Sequence, residues 1–185
     1  MPTLLKQELL RFLLCVMLNM ILLCTSPTKG IQCITNPLGM SSGDIINDRL
    51  SASSFQRLTI NPRLHSKSCW CPESRDFTPY LTIDLGSHHV VCAVGTQGCN
   101  IADRWVKSYH ISISSNGILW SLYKESNVTR IFYGNHDRST ISHELLYHSP
   151  TARYVRIAPQ TYHGAPCLRM EIYGYQLESS KLTLS

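Results

Sequence analysis

The sequence predicts an all-β fold, an antiparallel sandwich or jelly-roll barrel, in the chain that follows residue 30. Apolar and polar residues alternate with a period of two in several short stretches, as in strands with one buried face. Turn signals separate these stretches, and beyond residue 30 no apolar period of 3.6 residues persists through ten residues. Short strands without helices are typical of sandwiches and barrels.

Five stretches carry this strand pattern, at residues 80–85, 90–94, 109–114, 153–158 and 168–173. Four of them alternate, whereas residues 90–94 form a nearly continuous apolar run, as expected for a more buried strand. The turn signals lie at residues 84–86, 115–117, 134–135, 149–150 and 163–166. The sequence shows no internal repeat or linker, so we predict one domain.

The first thirty residues have the pattern of a secretory signal peptide. Lys6 and Arg11 precede a run at residues 12–23 that is apolar except for one asparagine. This run is shorter than the roughly 20 apolar residues of a spanning helix, although an uncleaved anchor is the alternative. Small residues favour cleavage after Gly30, with residues 24–26 as a competing site. We therefore expect a secreted, extracellular chain with a signal at residues 1–30, a domain at 31–176 and a tail at 177–185.

The cysteine content indicates an oxidising compartment. Two of the eight cysteines lie in the predicted signal, and an even number remains, which predicts disulfide bonds among Cys33, Cys69, Cys71, Cys92, Cys99 and Cys167. Cys69-Trp70-Cys71 lacks the spacing of a zinc site, so we expect no metal. Asn127, in the only glycosylation sequon, lies in a polar stretch where a glycan is expected.

Charge and motifs exclude two classes of function. The formal net charge is +5, and removal of residues 1–30 leaves 14 basic against 11 acidic side chains, or +3, without a Lys/Arg run. A nucleic-acid binder normally carries a strong basic patch, so no nucleic-acid partner is expected. The sequence has no nucleophile elbow, zinc-protease motif or phosphate-binding loop. We therefore expect no enzymatic activity and no cofactor.

A series of short strings runs through the chain in order from Cys33 to Tyr175. It includes Trp70-Cys-Pro72, Tyr80-Leu-Thr-Ile-Asp-Leu-Gly86, Ala152-Arg-Tyr-Val-Arg-Ile157 and Cys167-Leu-Arg-Met-Glu-Ile-Tyr-Gly174. Together these strings resemble the discoidin family, the C-type domains of coagulation factors V and VIII, and especially its retinoschisin-type and neuropilin-type members. The resemblance implies an eight-stranded antiparallel jelly-roll barrel whose loops at one end form ligand-binding spikes.

The same resemblance implies a disulfide pattern. It pairs Cys71 with Cys167 and, as in retinoschisin-type domains, Cys69 with Cys99. Many members join their first cysteine to one just after the last strand, but Tyr175 occupies that position here. Cys33 and Cys92 remain: they pair with each other, or Cys33 links the chain into a disulfide-bonded homo-oligomer and Cys92 stays a buried thiol.

The candidate ligand residues lie on loops, as the resemblance implies. They are Phe55, Arg57 and Leu58 on the first spike, Asn100, Asp103 and Trp105 on the second, Tyr162 and His163 on the third, and Asp76, which matches an acidic pocket of neuropilin-type members. Phe55 folds back onto the barrel mouth in the alternative view, and for Trp105 we favour packing at the loop base. Within strands, charged residues are expected to form internal ion pairs or sheet-face charges: Asp84, Arg153, Arg156, Arg169 and Glu171.

The resemblance implies recognition without chemistry. The leading hypothesis is a secreted adhesion module that binds a cell-surface lipid, a glycan or a matrix protein, such as anionic phospholipid or collagen, through its spikes. An apolar tip beside a cation suits insertion into an anionic membrane. The alternative is a secreted galactose-type lectin that uses Tyr162 as a stacking platform. A structural matrix component without a small ligand is the third hypothesis.

Overall fold

The computed structural model describes residues 32–54 and 61–177. Within them lie a helical turn at residues 32–35, a 3-10 helix at Asn47–Arg49 and ten strands. The strands are β1 (Leu50–Ala52), β2 (Leu81–Gln97), β3 (Trp105–Ser114), β4 (Ser121–Leu122), β5 (Lys124–Glu125), β6 (Val128–Thr129), β7 (Phe132–Tyr133), β8 (Ser142–Leu145), β9 (Thr151–His163) and β10 (Arg169–Gln176).

Eight of these strands form one sheet, and its ladders are all antiparallel. The order is β1-β2-β9-β3-β4, while β10 and β8 also pair with β2, and β7 pairs with β3. β5 and β6 form a separate hairpin. The predicted all-β antiparallel fold is therefore confirmed, and the eight strands match the number that the resemblance implies.

β2 connects the two halves of the sheet. Its register with β9 shifts between Asp84 and His89, and Gly86 at this bend has a positive φ of 84°. A glycine adopts this backbone conformation without the strain that other residues incur. The first half of β2 pairs with β1 and β9, and the second half with β10 and β8. The sequence predicted two strands with a turn at residues 84–86, whereas the structure has one bent strand.

The core lies between the two halves of β2 and the strands that pair with them. Its largest fully buried side chains include Trp70, Tyr109, Phe132, Leu81 and Ile157. The rings of Tyr109 and Phe132 stack with centroids 5.5 Å apart. The alternating apolar residues of the predicted strands supply much of this core, because they all point to one face of the sheet.

β10 departs from the predicted alternation, because its polar face is buried too. Arg169 and Glu171 are 3% and 1% exposed. The Glu171 carboxylate accepts hydrogen bonds from the backbone N–H groups of Met40 at 3.0 Å and Ser41 at 2.7 Å. A loop thus covers this face of the strand. Glu171 is a buried anchor for that loop and not the ion pair or surface charge expected from the sequence.

Three disulfide bonds connect cysteines within the described ranges. They join Cys71 to Cys167, Cys69 to Cys99 and Cys33 to Cys92, with Cα–Cα distances of 4.3, 5.1 and 5.8 Å. The first two are the pairs that the resemblance implies. The third uses the thiol that a covalent oligomer through Cys33 would need, and it leaves no free thiol at Cys92. In this structure the N-terminal segment is therefore attached to β2.

No helix within residues 32–54 and 61–177 is long and apolar enough to cross a membrane. The predicted signal at residues 1–30 and almost all of the predicted tail at 177–185 lie outside the described residues. Cleavage, secretion and the domain boundaries therefore stay predictions.

Candidate functional site

Several loops leave the sheet at the same end. Leu81, the first residue of β2, lies opposite Ile157, and Trp105, the first residue of β3, lies opposite His163 at the end of β9. Because these strands are antiparallel, the residues before β2, before β3 and after β9 all extend in one direction. The segment after β7 reaches this end as well, because β7 pairs with the first half of β3. We call the surface formed by residues 61–80, 98–104, 134–141 and 164–168 the loop end.

Two disulfide bonds connect the loops of the loop end. Cys69–Cys99 joins residues 61–80 to residues 98–104, and Cys71–Cys167 joins residues 61–80 to residues 164–168. The four cysteines form a buried cluster of their own. Cys69, Cys71 and Cys99 are the only group with metal-ligand character in the part of the chain that the structure describes. All three sulfurs are disulfide-bonded, so they offer no thiolate to a metal.

Arg169 holds three of these loops in place. Its side chain donates to the carbonyl oxygens of Gly98 at 2.7 Å, Ser66 at 3.0 Å and Arg138 at 2.6 Å. Burial lowers the pKa of this guanidinium, and the carbonyl groups are the acceptors that a buried cation requires. The sequence led us to expect an ion pair or a surface charge here. Instead, Arg169 is a buried connector between loops.

Asp76 is engaged within the protein. Its carboxylate accepts hydrogen bonds from the hydroxyl groups of Ser53 and Ser54 and from the backbone N–H of Thr78 at 3.2 Å. Partial burial raises the pKa of Asp76, but these hydrogen bonds outweigh that effect, so its pKa lies below the usual value. A basic ligand at Asp76 would have to compete with these internal donors.

Trp105 and His163 form a stacked pair at the base of the loops. Their ring centroids are 4.1 Å apart and the ring planes differ by 14°. Trp105 is partly buried, which agrees with the packing role favoured from the sequence, while His163 is exposed. Tyr162, which directly precedes His163 in β9, is 50% exposed. This end of β9 therefore presents a tyrosine and an imidazole to solvent.

The other two candidates on the second spike are also exposed. Asn100 is in contact with solvent, and Asp103 lies 3.6 Å from Arg138 in an ion pair whose side chains are 75% and 52% exposed. An ion pair this exposed contributes little to stability. Phe55, Arg57 and Leu58 of the first spike fall within residues 55–60, outside the described residues.

Two apolar residues of the loop end were missed in the sequence analysis. Phe77 is 91% exposed and Ile101 is 62% exposed. Each directly follows a residue that the sequence did single out, Asp76 and Asn100. Alternation along a strand predicts which residues are buried, but in a loop exposure depends on how the backbone turns. The sequence feature that could have identified them is the presence of an apolar residue within a polar loop.

Asn127 lies at the tip of the β5–β6 hairpin. It is exposed, and it forms the turn with Ser126; their φ values are 64° and 49°. Asparagine tolerates this left-handed conformation better than most residues do. A glycan at this position would extend into solvent without displacing core residues. Glycosylation of the sequon stays a prediction.

The geometry defines a class of protein: a jelly-roll module that presents disulfide-linked loops at one end. A family profile for the F5/8 type C domain matches residues 49–172. The chain therefore belongs to the family of F5/8 type C domains, or discoidin domains, and the resemblance inferred from the sequence is confirmed. It is a binding module of that family.

Curated and solved relatives agree with this assignment. Neuropilin-2 from Homo sapiens is 35% identical over 157 residues, which cover 80% of this chain and 17% of that protein. Retinoschisin from Takifugu rubripes is 32% identical over 166 residues, covering 80% of this chain and 59% of the relative. Discoidin II from Dictyostelium discoideum superposes with a TM-score of 0.62 at 26% identity, covering 70% of this chain and 55% of that structure. The chain thus spans only part of each relative.

Proposed function

We propose that the chain is a secreted, non-enzymatic adhesion module that binds cell surfaces through its loop end, with anionic phospholipid as the ligand. The observation that carries this proposal is Phe77, whose side chain is 91% exposed. Water-exposed phenylalanine is costly, whereas the same ring gains free energy when it enters the boundary between headgroups and acyl chains.

Other side chains of the loop end support a membrane ligand. Ile101 provides a second exposed apolar tip on a different loop. Lys67, Arg75 and Arg104 are exposed on these loops and form no ion pair among the described residues. Each basic residue near an anionic membrane contributes about 1 kcal/mol. The loop end thus combines apolar tips with cations.

Acidic side chains at the same end are mostly engaged. Asp76 accepts three hydrogen bonds, and Asp137 accepts from the N–H groups of Ser139 and Thr140, both at 2.7 Å. Asp103 is paired with Arg138. Arg138 thus balances the charge of Asp103, whereas Asp76 and Asp137 keep their charges, because their donors are neutral. The disulfides and Arg169 also fix the loops before binding, which lowers the entropy lost when a ligand binds.

The test is a double substitution at the two exposed tips. Phe77→Ala/Ile101→Ala should weaken binding to phosphatidylserine-containing vesicles by one to several powers of ten, measured by sedimentation. Burying each side chain fully contributes about 1.5–3 kcal/mol, which sets the upper limit of the loss. The melting temperature should stay the same, because neither side chain packs in the core.

A matched control removes comparable apolar area elsewhere. Val128 and Tyr147 are 69% and 70% exposed and lie outside the loop end, so Val128→Ala/Tyr147→Ala should bind vesicles as the wild type does. The same assay tests the hypothesis that the first spike binds lipid. We expect Phe55→Ala/Leu58→Ala to weaken binding to the vesicles as well. If wild type does not bind these vesicles, or if the Phe77/Ile101 variant binds equally well, the lipid proposal is wrong.

The second candidate function is a galactose-type lectin, favoured by the exposed Tyr162 ring and the exposed imidazole of the Trp105–His163 pair at the end of β9. A tyrosine ring suits the apolar face of a sugar, and an imidazole can form hydrogen bonds with its hydroxyl groups. His163→Ala should then abolish binding to galactose-terminated glycans on an array and leave vesicle binding within about twofold. A wild-type protein that binds no glycan on the array would exclude this function.

A further inference from the structure

Arg156 lies between two aromatic rings on the outer face of the sheet. Its guanidinium carbon is 4.0 Å from the ring centroid of Tyr80 and 3.8 Å from that of Trp120. Two rings this close to one carbon atom must flank it on different sides. Its Nε donates to the Thr82 hydroxyl at 3.0 Å. These contacts fix the position of the guanidinium plane, and its two terminal nitrogens make no hydrogen bond to any described residue.

This cation has no counter-ion in the part of the chain that the structure describes. Of the other partly buried arginines, Arg130 pairs with Glu125 and Glu144, and Arg153 with Asp84. Arg63 instead donates to the carbonyl oxygens of Met40 and Ile45 and to the Asn47 side chain. For Arg156, no acceptor for the terminal nitrogens and no carboxylate partner occur within residues 32–54 and 61–177. Burial lowers the pKa of Arg156, as expected for a charge that has lost water without gaining an anion. An incoming anion would therefore meet a cation whose position is already fixed.

Two exposed apolar residues directly precede the tryptophan that covers this cation. Ile118 and Leu119, which directly precede Trp120, are 79% and 75% exposed. The Asn116 side chain accepts hydrogen bonds from both of their backbone N–H groups, at 2.9 and 3.0 Å. Their loop rests on the sheet, since a Cβ atom at Gly117 would lie 3.3 Å from the Tyr154 ring. The loop thus holds two aliphatic side chains in solvent, in a fixed backbone conformation.

We propose that Arg156, Trp120, Ile118 and Leu119 form a docking surface for a partner protein that presents a carboxylate flanked by apolar side chains. The planar guanidinium matches a carboxylate through two parallel hydrogen bonds. Tryptophan and arginine are also the residue types that contribute most to protein–protein binding. The charge of Arg156 favours a partner with an acidic side chain. The exposed Ile118 and Leu119 side chains favour apolar residues beside that acidic side chain. This surface is on the outer sheet face, so the proposal does not depend on lipid or sugar binding at the loop end.

The geometry favours a protein over an acidic saccharide. Sugars in protein sites stack on exposed aromatic faces, but both rings here already cover the guanidinium, and the Trp120 ring also contacts Tyr154 edge-on. The indole N–H of Trp120 is engaged with the Gly117 carbonyl oxygen at 3.1 Å. The exposed aliphatic side chains offer nothing to sugar hydroxyl groups, whereas they suit leucine or phenylalanine of a peptide.

The experiment is a selection from a displayed library of random peptides on the folded, secreted chain. We expect the selected peptides to contain Asp or Glu beside apolar residues. Synthetic versions should bind Arg156→Gln at least about tenfold more weakly, because a charge-assisted pair of hydrogen bonds is lost. Ile118→Ser/Leu119→Ser should weaken binding similarly. Replacing the acidic residue of a peptide by its amide should have the same effect as Arg156→Gln.

Controls separate binding from folding. Lys124→Gln and Val128→Ser remove one exposed charge and one exposed apolar side chain on the β5–β6 hairpin, and each should bind the peptides as wild type does. Arg156→Lys keeps the charge and the aliphatic stem but not the two parallel donors. If Arg156→Gln does not fold, this variant tests whether the two parallel hydrogen bonds are needed. Selected peptides without acidic residues, or equal binding by wild type and both Arg156 variants, would overturn the proposal. So would a preference for hyaluronan oligosaccharides over the peptides.

Discussion

Replacing Cys71 and Cys167 together by alanine should lower the free energy of unfolding by about 4.7 kcal/mol. The bond closes a loop with a sequence separation of 96 residues, so its loss greatly increases the conformational freedom of the unfolded chain. A loss of this size is comparable to the whole stability of a small domain. We therefore expect secretion of the variant to fall sharply. Urea unfolding of the material that is secreted gives the free energy directly.

The other two disulfide bonds provide a graded control. Their sequence separations are 59 residues for Cys33–Cys92 and 30 for Cys69–Cys99. The same entropy argument predicts losses of about 4.2 and about 3.6 kcal/mol for the corresponding double alanine variants. The order of the three losses is the sharper test, since native-state effects shift each value. If the loss for Cys69–Cys99 exceeds that for Cys71–Cys167, loop closure does not dominate.

Arg169→Met should destabilise the protein by about 3 kcal/mol or more and loosen the loop end. Methionine fills much of the same volume, but it leaves the carbonyl oxygens of Gly98, Ser66 and Arg138 without their donor. Each buried acceptor that loses its partner costs about 1–3 kcal/mol. Because the three carbonyls belong to different loops, hydrogen exchange should accelerate in all three at once. Binding of phosphatidylserine-containing vesicles at the loop end should weaken as well.

Arg169→Lys tests whether geometry or charge matters at this position. Lysine keeps the cation, but one ammonium group cannot reach three carbonyls that are arranged around a planar guanidinium. We expect it to recover less than half of the lost stability. Arg104, an exposed arginine, gives the control. The free energy of unfolding of Arg104→Met should lie within about 0.5 kcal/mol of the wild-type value. An Arg169→Met variant as stable as this control would show that the buried guanidinium does not hold the loops.

The strands followed from the sequence because sheet geometry repeats every two residues. Ile111 and Ile157, for instance, are buried as their alternation predicts, and they lie opposite each other in β3 and β9. The prediction was wrong where a second layer covers the polar face, as at Glu171. It was also wrong at Gly86, where the strand bends and does not end. Both outcomes depend on residues far away in sequence.

The candidate site was predicted only in part, for a similar reason. The sequence strings placed candidate residues in the segment 98–104 and at the end of β9, and the structure brings these two segments to the same end of the sheet. The contact between Trp105 and His163 follows from the register of β3 and β9, which alternation alone does not give. Phe77 was missed because exposure in a loop depends on the hydrogen bonds of its neighbours, among them those of Asp76 to Ser53 and Ser54.

The sequence by itself determined the all-β class, the strand faces and the family, because these depend on short-range alternation and on strings of adjacent residues. Only the tertiary structure decided which polar groups became buried connectors. Arg169 and Arg156 lie in similar strand contexts, yet one binds three loop carbonyls and the other lies between two rings. Their partners are brought together by folding from distant parts of the chain. A buried charge must find acceptors wherever the fold supplies them, and a residue's immediate neighbours in sequence do not say where that is.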